Sequence, residues 1–256
     1  MRALRRPDDP HGLLLHLPRL RHQHRLQLTL EQAEAASAPS PPRSCDAPLM
    51  SEPREIADSL EQVVEGVWHW RIHNANIGGT ISSSHAVGAG RGSVLIDPVR
   101  LAPKAFESLP APTAVVLDAR THQRAAWRYR AEFAIEVWLP EDAPKADEEP
   151  DRRYGEGDVL PGGLLAIRTP GPERAHYSFL LERAPGVLFC SDLISNDGGR
   201  ELRFVSPEYH EDPAETRRSV EHLLALPFAV LCLDHGAPVT DEPKAALKRL
   251  LAAGNA

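Results

Sequence analysis

Cysteine is scarce in this chain, and cations are in the minority. Cys45, Cys190 and Cys232 are spread over 256 residues with no CxxC pair. Neither a disulfide framework nor a thiolate zinc site is implied, and a reducing cytoplasm is the expected location. Lys and Arg number 29 against 36 Asp and Glu, a formal charge of −7, so the balance offers no basic footprint for nucleic acid or an anionic membrane surface. No apolar run approaches the roughly 20 residues that cross a bilayer. Aromatic residues make up only 5%, yet 42% of the chain is hydrophobic, enough for one large domain or two small ones.

Residues 1–49 differ from the rest of the chain. They hold seven Lys or Arg against five Asp or Glu, whereas the remainder holds 22 against 31, so the charge balance changes sign at this boundary. Arg, His and Pro interrupt the leucines and break any signal-peptide core, and Pro39, Pro41 and Pro42 mark a linker. The expectation is a disordered or spurious extension over 1–49, with the HQH at His22–His24 left without a function. The folded domain is expected over 50–256, with Met50 as a natural start.

From Met50 the pattern is strand-rich and then alternates. Spacing in SEPREIADSLEQVV predicts a short lead-in helix. VWHWRI, GGTISSSHAV and GSVLIDP predict an antiparallel meander, followed by a buried strand TAVVL, a helix HQRAAWRYRAEF and a strand EVWLP. The stretch 141–158 carries eight acidic residues among eighteen and predicts a solvated loop. Strands at GLLAIRTP, AHYSFLLE and GVLFCSDL, a helix over 213–226, a strand FAVLCLD and a last helix PKAALKRLLAAG complete the chain. This order predicts an α/β architecture of two stacked sheets flanked by helices.

Polar residues cluster where the buried strands end, the place where α/β folds gather their chemistry. His122 follows TAVVL, Asp192 follows GVLFC and His235 follows AVLCL. Two imidazoles and a carboxylate form a ligand set suited to a divalent zinc or iron ion. Arg120 and Arg124 flank His122 and suit an anionic small-molecule ligand, with Asp118 and His176 as further candidates. His176, Tyr209, His210 and Cys190 also enter as alternative acids, bases or nucleophiles in the same cleft. Cys190 and Cys232 read as core packing. His69, His73 and His85 read as structural, and of the two faces of VWHWRI one is expected in the core and the other lining a cleft or facing solvent. SSSH at Ser82–His85 lacks the GxSxG elbow that exposes a nucleophilic serine.

VVLDARTH, TPGPERAHYSF, LFCSDL and LDHGAPV, preceded by GSVLIDP with Asp97, stand in an order that resembles the metallo-β-lactamase-fold hydrolases from about Val67 to Leu251. The resemblance implies an αββα sandwich of two mixed sheets flanked by helices, with the metal site at one edge. It also shows what is missing. The family's loop of His, any residue, His, any residue, Asp, His falls on Leu117, Ala119, Thr121 and His122, and Pro172 stands where a histidine follows the TPG turn. None of Leu, Ala or Pro offers a side-chain lone pair, so the first metal site of the family is absent. His122, Asp192 and His235 match the remainder of the second.

The resemblance leaves two readings open. One is a protein with a degenerate metal site that binds a small molecule or partner without dinuclear catalysis. The other is a single-metal hydrolase of an ester, thioester, lactone or phosphoester using His122, Asp192 and His235. Either way at most one zinc or iron ion is expected, with no turnover of generic ester or lactam reporters above background. The sequence sets neither the substrate nor an oligomeric state.

Overall fold

Side-chain alternation along the strands decides how the layers stack. The computed structural model describes residues 52–197, 199 and 201–254; the expectations for residues 1–49 lie outside them. Seven strands form the first sheet in chain order: β1 (Glu61–Val64), β2 (Val67–His73), β3 (Ile81–Ala89), β4 (Gly92–Ile96), β5 (Pro112–Val116), β6 (Glu136–Pro140) and β7 (Arg152–Tyr154). Pairing is antiparallel from β1 to β4 and parallel from β4 to β7. The second sheet runs β12 (Arg203–Phe204), β11 (Val187–Ser195), β10 (Tyr177–Leu181), β9 (Leu164–Arg168) and β8 (Val159–Leu160), with β13 (Val230–His235) parallel to β11. The α-helices among the described residues are α1 (Pro103–Phe106), α2 (Ala126–Phe133), α3 (Pro213–Leu223) and α4 (Pro243–Ala253), with short 3-10 turns in the connections.

Residues on alternate sides of each strand enter different cores. Val94 and Ile96 of β4, Ala114 and Val116 of β5, Phe179 of β10, Phe189 of β11 and Cys232 of β13 share a core between the sheets. Leu95 and Val115, on the opposite side, pack with Trp127 and Tyr129 of α2. Leu188 and Leu231 pack with Val220 and Leu223 of α3 and Leu247 and Leu250 of α4. The result is an αββα sandwich of two sheets with helices outside. Because the central strands are buried on both faces, they read as continuous apolar runs. Each fully buried Leu or Phe contributes about 1.5–3 kcal/mol.

Two expectations are corrected. The lead-in is not a helix: Ala57 makes a single bridge to Leu101, and Glu61–Val64 pairs with β2. Gly66, at a φ of 70°, closes that hairpin in the left-handed region, which glycine adopts without steric cost, and Val63 and Val64 reach the inter-sheet core. The acidic stretch is not wholly loop either, since Arg152–Tyr154 forms the edge strand β7. Its Tyr154 is buried and donates to the Leu117 carbonyl at 2.7 Å, while Asp151 is held by Arg130 and by the Val137 amide. His69 is buried between the sheets. No helix among the described residues is long and apolar enough to cross a membrane.

Candidate metal centre

β5 ends at Val116, and the chain turns through Leu117–Ala119 into a 3-10 turn at Arg120–His122. This turn carries the His122 ring towards the second sheet. Asp192 lies inside β11 rather than at its end, where the register against β13 shifts between Cys190 and Ser195. His235 is the last residue of β13. The three come together, with ligand atoms all within 4.8 Å of one another. His122 Nε2 is 3.1 Å from Asp192 Oδ2, and His235 Nε2 is 2.7 Å from Asp192 Oδ1. The group opens onto a cleft of about 940 Å³ whose wall includes Asn74, Ile77, Thr121, Phe204, Tyr209 and His210.

What lies behind each imidazole decides its protonation. His235 Nδ1 is 2.6 Å from the Ile81 carbonyl, which can only accept, so Nδ1 carries a hydrogen. His122 Nδ1 is 2.8 Å from Asp118 Oδ1, 3.0 Å from Asp234 Oδ2 and 3.2 Å from Ser191 Oγ, and so carries one as well. Both Nε2 atoms then face the same carboxylate. A lone pair aimed at a carboxylate oxygen is repulsive, so the space between must hold either a second proton on each ring or a cation.

The electrostatics agree with this geometry. Burial alone would lower the His122 pKa, but Asp192 and Asp118 raise it well above 6.5. Burial likewise opposes the charge on His235, and its hydrogen bond to Asp192 raises it overall. Burial would raise Asp192, yet the His122 charge and the hydrogen bonds from both rings hold it well below the usual carboxylate range.

Around this group stand the other candidate residues. Arg120 donates its main-chain N–H to Glu173. Arg124 is 3% exposed, and its guanidinium is committed to Asp234 and to the carbonyls of Ser83 and Asp97. It therefore does not stand free for an anionic ligand, as the sequence had suggested. Asp118 is taken up by His122, and Asp97 Oδ1 accepts from its amide at 3.1 Å. His176 does not join the three; it is buried, with Nδ1 2.7 Å from the Thr169 carbonyl. His210 Nε2 donates to the Asp192 carbonyl at 3.1 Å, and its Nδ1 accepts from Thr216, which steadies the strand that carries Asp192. Asp234, Ser191 and Ser83 were not foreseen. The adjacency of Asp234 to His235 in LDHG was the one local signal for any of them.

Solved structures supply the comparison. The metallo-β-lactamase FIM-1 from Pseudomonas aeruginosa, in its mono-zinc form, matches with a TM-score of 0.61 at 17% identity, over 78% of this chain and 97% of that one. The chain has the metallo-β-lactamase fold. The metallo-β-lactamase family protein TTHA1429 from Thermus thermophilus matches at 0.57 and 16% identity, over 75% of this chain and 80% of its own. TTHA1623 in a di-iron-bound form matches at 0.51 and 23%, over 66% and 93%. No protein-family model matches the sequence, and no curated protein does. Within the metallo-β-lactamase fold, the positions that the resemblance assigns to the first metal site are apolar here. Leu117, Ala119 and Pro172 are all buried.

His69 and His85 lie between the sheets, away from the three, with ring centroids 5.2 Å apart. Neither His85 nitrogen has a partner among the described residues. Burial, then the charges of His69 and Arg124, hold His85 well below 6.5; burial also outweighs Glu61 in lowering His69. A histidine kept neutral in the fold binds its proton first in the unfolded chain, so stability falls as pH drops below about 6.5. His85→Met, which fits an apolar gap, is expected to reduce the loss of stability between pH 7 and pH 5, read by urea unfolding at both. An unchanged difference would mean that His85 does not stay neutral.

Proposed function

We propose that the protein is a single-metal member of this fold, in which His122 Nε2, Asp192 and His235 Nε2 hold one divalent ion at the floor of the cleft. The observation that carries the reading is the pair of imidazoles whose Nδ1 atoms donate to oxygen acceptors while both Nε2 atoms converge on one carboxylate. Metal-bound histidines show this arrangement, the second nitrogen orienting the ring and fixing its tautomer. The mono-zinc and di-iron neighbours named above support zinc or iron as the ion.

A divalent ion bound there supplies Lewis acidity and brings the pKa of a coordinated water towards neutrality. The chain's own residues determine the rest. Asp118 and Asp234 orient His122, and the Ile81 carbonyl orients His235. Thr121 faces the cleft where the family's loop carries an aspartate, so a proton must leave through another group or through solvent. The cleft walls then select a small-molecule ester, thioester, lactone or phosphoester.

A second reading has its own support. Each Asp192 oxygen already has an imidazole against it, so a metal-free, doubly protonated site is internally satisfied and could serve ligand binding alone. Calorimetry separates the two. Zinc must displace the Nε2 protons, and their binding is tightened by the raised His122 and His235 pKa values. Titration at pH 7 in buffers of different ionisation enthalpy is expected to show proton release on zinc binding. Absence of any zinc heat or proton release would leave the metal-free reading.

A further inference from the structure

The Nδ1 side of His122 holds a second group of ligand atoms. The carboxylates of Asp97, Asp118 and Asp234 and the His122 ring present atoms within 4.8 Å of one another, and all four residues are buried. Three carboxylates cannot share such a space as anions without a cation. Arg124 enters it: Nη2 is 2.8 Å from Asp234 Oδ2, and Nη1 donates to the main-chain oxygens of Ser83 at 2.6 Å and Asp97 at 2.9 Å. Its backbone is in the left-handed region, φ 39°, an uncommon conformation for a residue other than glycine. A separate observation shows that the polar atoms of the pocket are not all satisfied. Asp97 Oδ2 is buried without a partner among the described residues.

The groups that Arg124 engages are all oxygens: two carbonyls and a carboxylate, with the carboxylates of Asp97 and Asp118 beside them. Oxygen-only sets of this kind suit hard cations such as manganese, magnesium or calcium, whereas the imidazoles facing Asp192 suit zinc or iron. We propose that Arg124 is a tethered cation occupying a pocket that would otherwise take a hard divalent ion, and that its guanidinium is what keeps a second ion out of the Nδ1 side of His122. That it would be a second ion rests on the reading of His122, Asp192 and His235 given above; the oxygen-lined pocket does not. Burial acts against the charge on Arg124, while Asp234, Asp97, Asp118 and Asp192 together keep it firmly protonated.

The test titrates manganese into the full-length chain and into Arg124→Gln and Arg124→Lys, with and without one equivalent of zinc, reading free manganese by its paramagnetic resonance signal. Arg124→Gln is expected to bind one manganese, while the unaltered chain and Arg124→Lys bind none at micromolar concentrations. If Arg124→Gln folds, shown by a cooperative melt, and takes up no manganese, the proposal is overturned. If it folds only when manganese is present, the ion has replaced the guanidinium and the proposal stands. If it stays unfolded with manganese while Arg124→Gln combined with Asp234→Asn folds, the pocket cannot hold an ion and the proposal fails. Manganese uptake by Arg124→Gln in a protein that binds no zinc would overturn the single-metal function while leaving this pocket assigned.

Discussion

His235→Ala is expected to lower zinc affinity by more than about 100-fold, since losing a ligand should exceed the 10–100-fold cost of losing a group that merely orients one. His122 Nε2 and Asp192 would remain, and two protein ligands compete poorly with water for a divalent ion. Asp192 Oδ1 and the Ile81 carbonyl would each lose their imidazole partner. Chelator competition measures the affinity, with exposed His73→Ala as the control. Retention of zinc within a few-fold would place the ion elsewhere.

Gly236→Ala is expected to cost far more stability than a methyl added at a glycine with open space around it. Gly236 has φ 134°, and a Cβ there would lie 1.7 Å from Asn196 Oδ1 and 3.2 Å from the Asn196 main-chain carbon. Asn196 cannot simply swing away, because its amide accepts from Ala237 N and donates to the Ala237 carbonyl, both at 2.9 Å. Ser83 further ties down the Gly236 carbonyl at 2.8 Å. Conformational strain of about 1–3 kcal/mol adds to the clash, so a loss above about 3 kcal/mol is expected in urea unfolding, with weaker zinc binding as His235 shifts. Gly78, at φ 69° with nothing within 4 Å of an added Cβ, is the comparison: Gly78→Ala should carry only the backbone cost. Equal losses at the two positions would show that the contact with Asn196 does not matter.

Much of this fold was legible because its central strands are buried on both faces. TAVVL, GVLFC and AVLCL stand out as runs that no solvated face interrupts, and their order alone implied two sheets with outer helices. Edges were harder. β1 contributes Val63 and Val64 to the core but carries apolar residues at spacings that suit a helix equally well, and β7 hides in an acidic stretch whose charges are partly absorbed by Arg130. In the centre, the convergence of His122, Asp192 and His235 could be anticipated from strand ends and from motif order. Arg124 could not. A guanidinium reads as solvated in sequence, and its burial depends on Ser83, Asp97 and Asp234, which the fold gathers from β3, the end of β4 and β13. Asp234 was obscured for the same reason, since its partners lie 112 and 110 positions away along the chain at His122 and Arg124.

The central claim is that this chain holds one metal ion between His122, Asp192 and His235. Elemental analysis of full-length protein, purified without a metal-affinity tag and exchanged into chelator-treated buffer after incubation with zinc, tests it most directly. The account predicts one zinc per chain, lost in His235→Ala. Zero zinc in the unaltered chain would contradict it by leaving the two imidazoles to share Asp192 through protons alone, and two zinc ions would contradict it by showing that the buried Leu117, Ala119 and Pro172 have been replaced as ligands by groups elsewhere in the cleft.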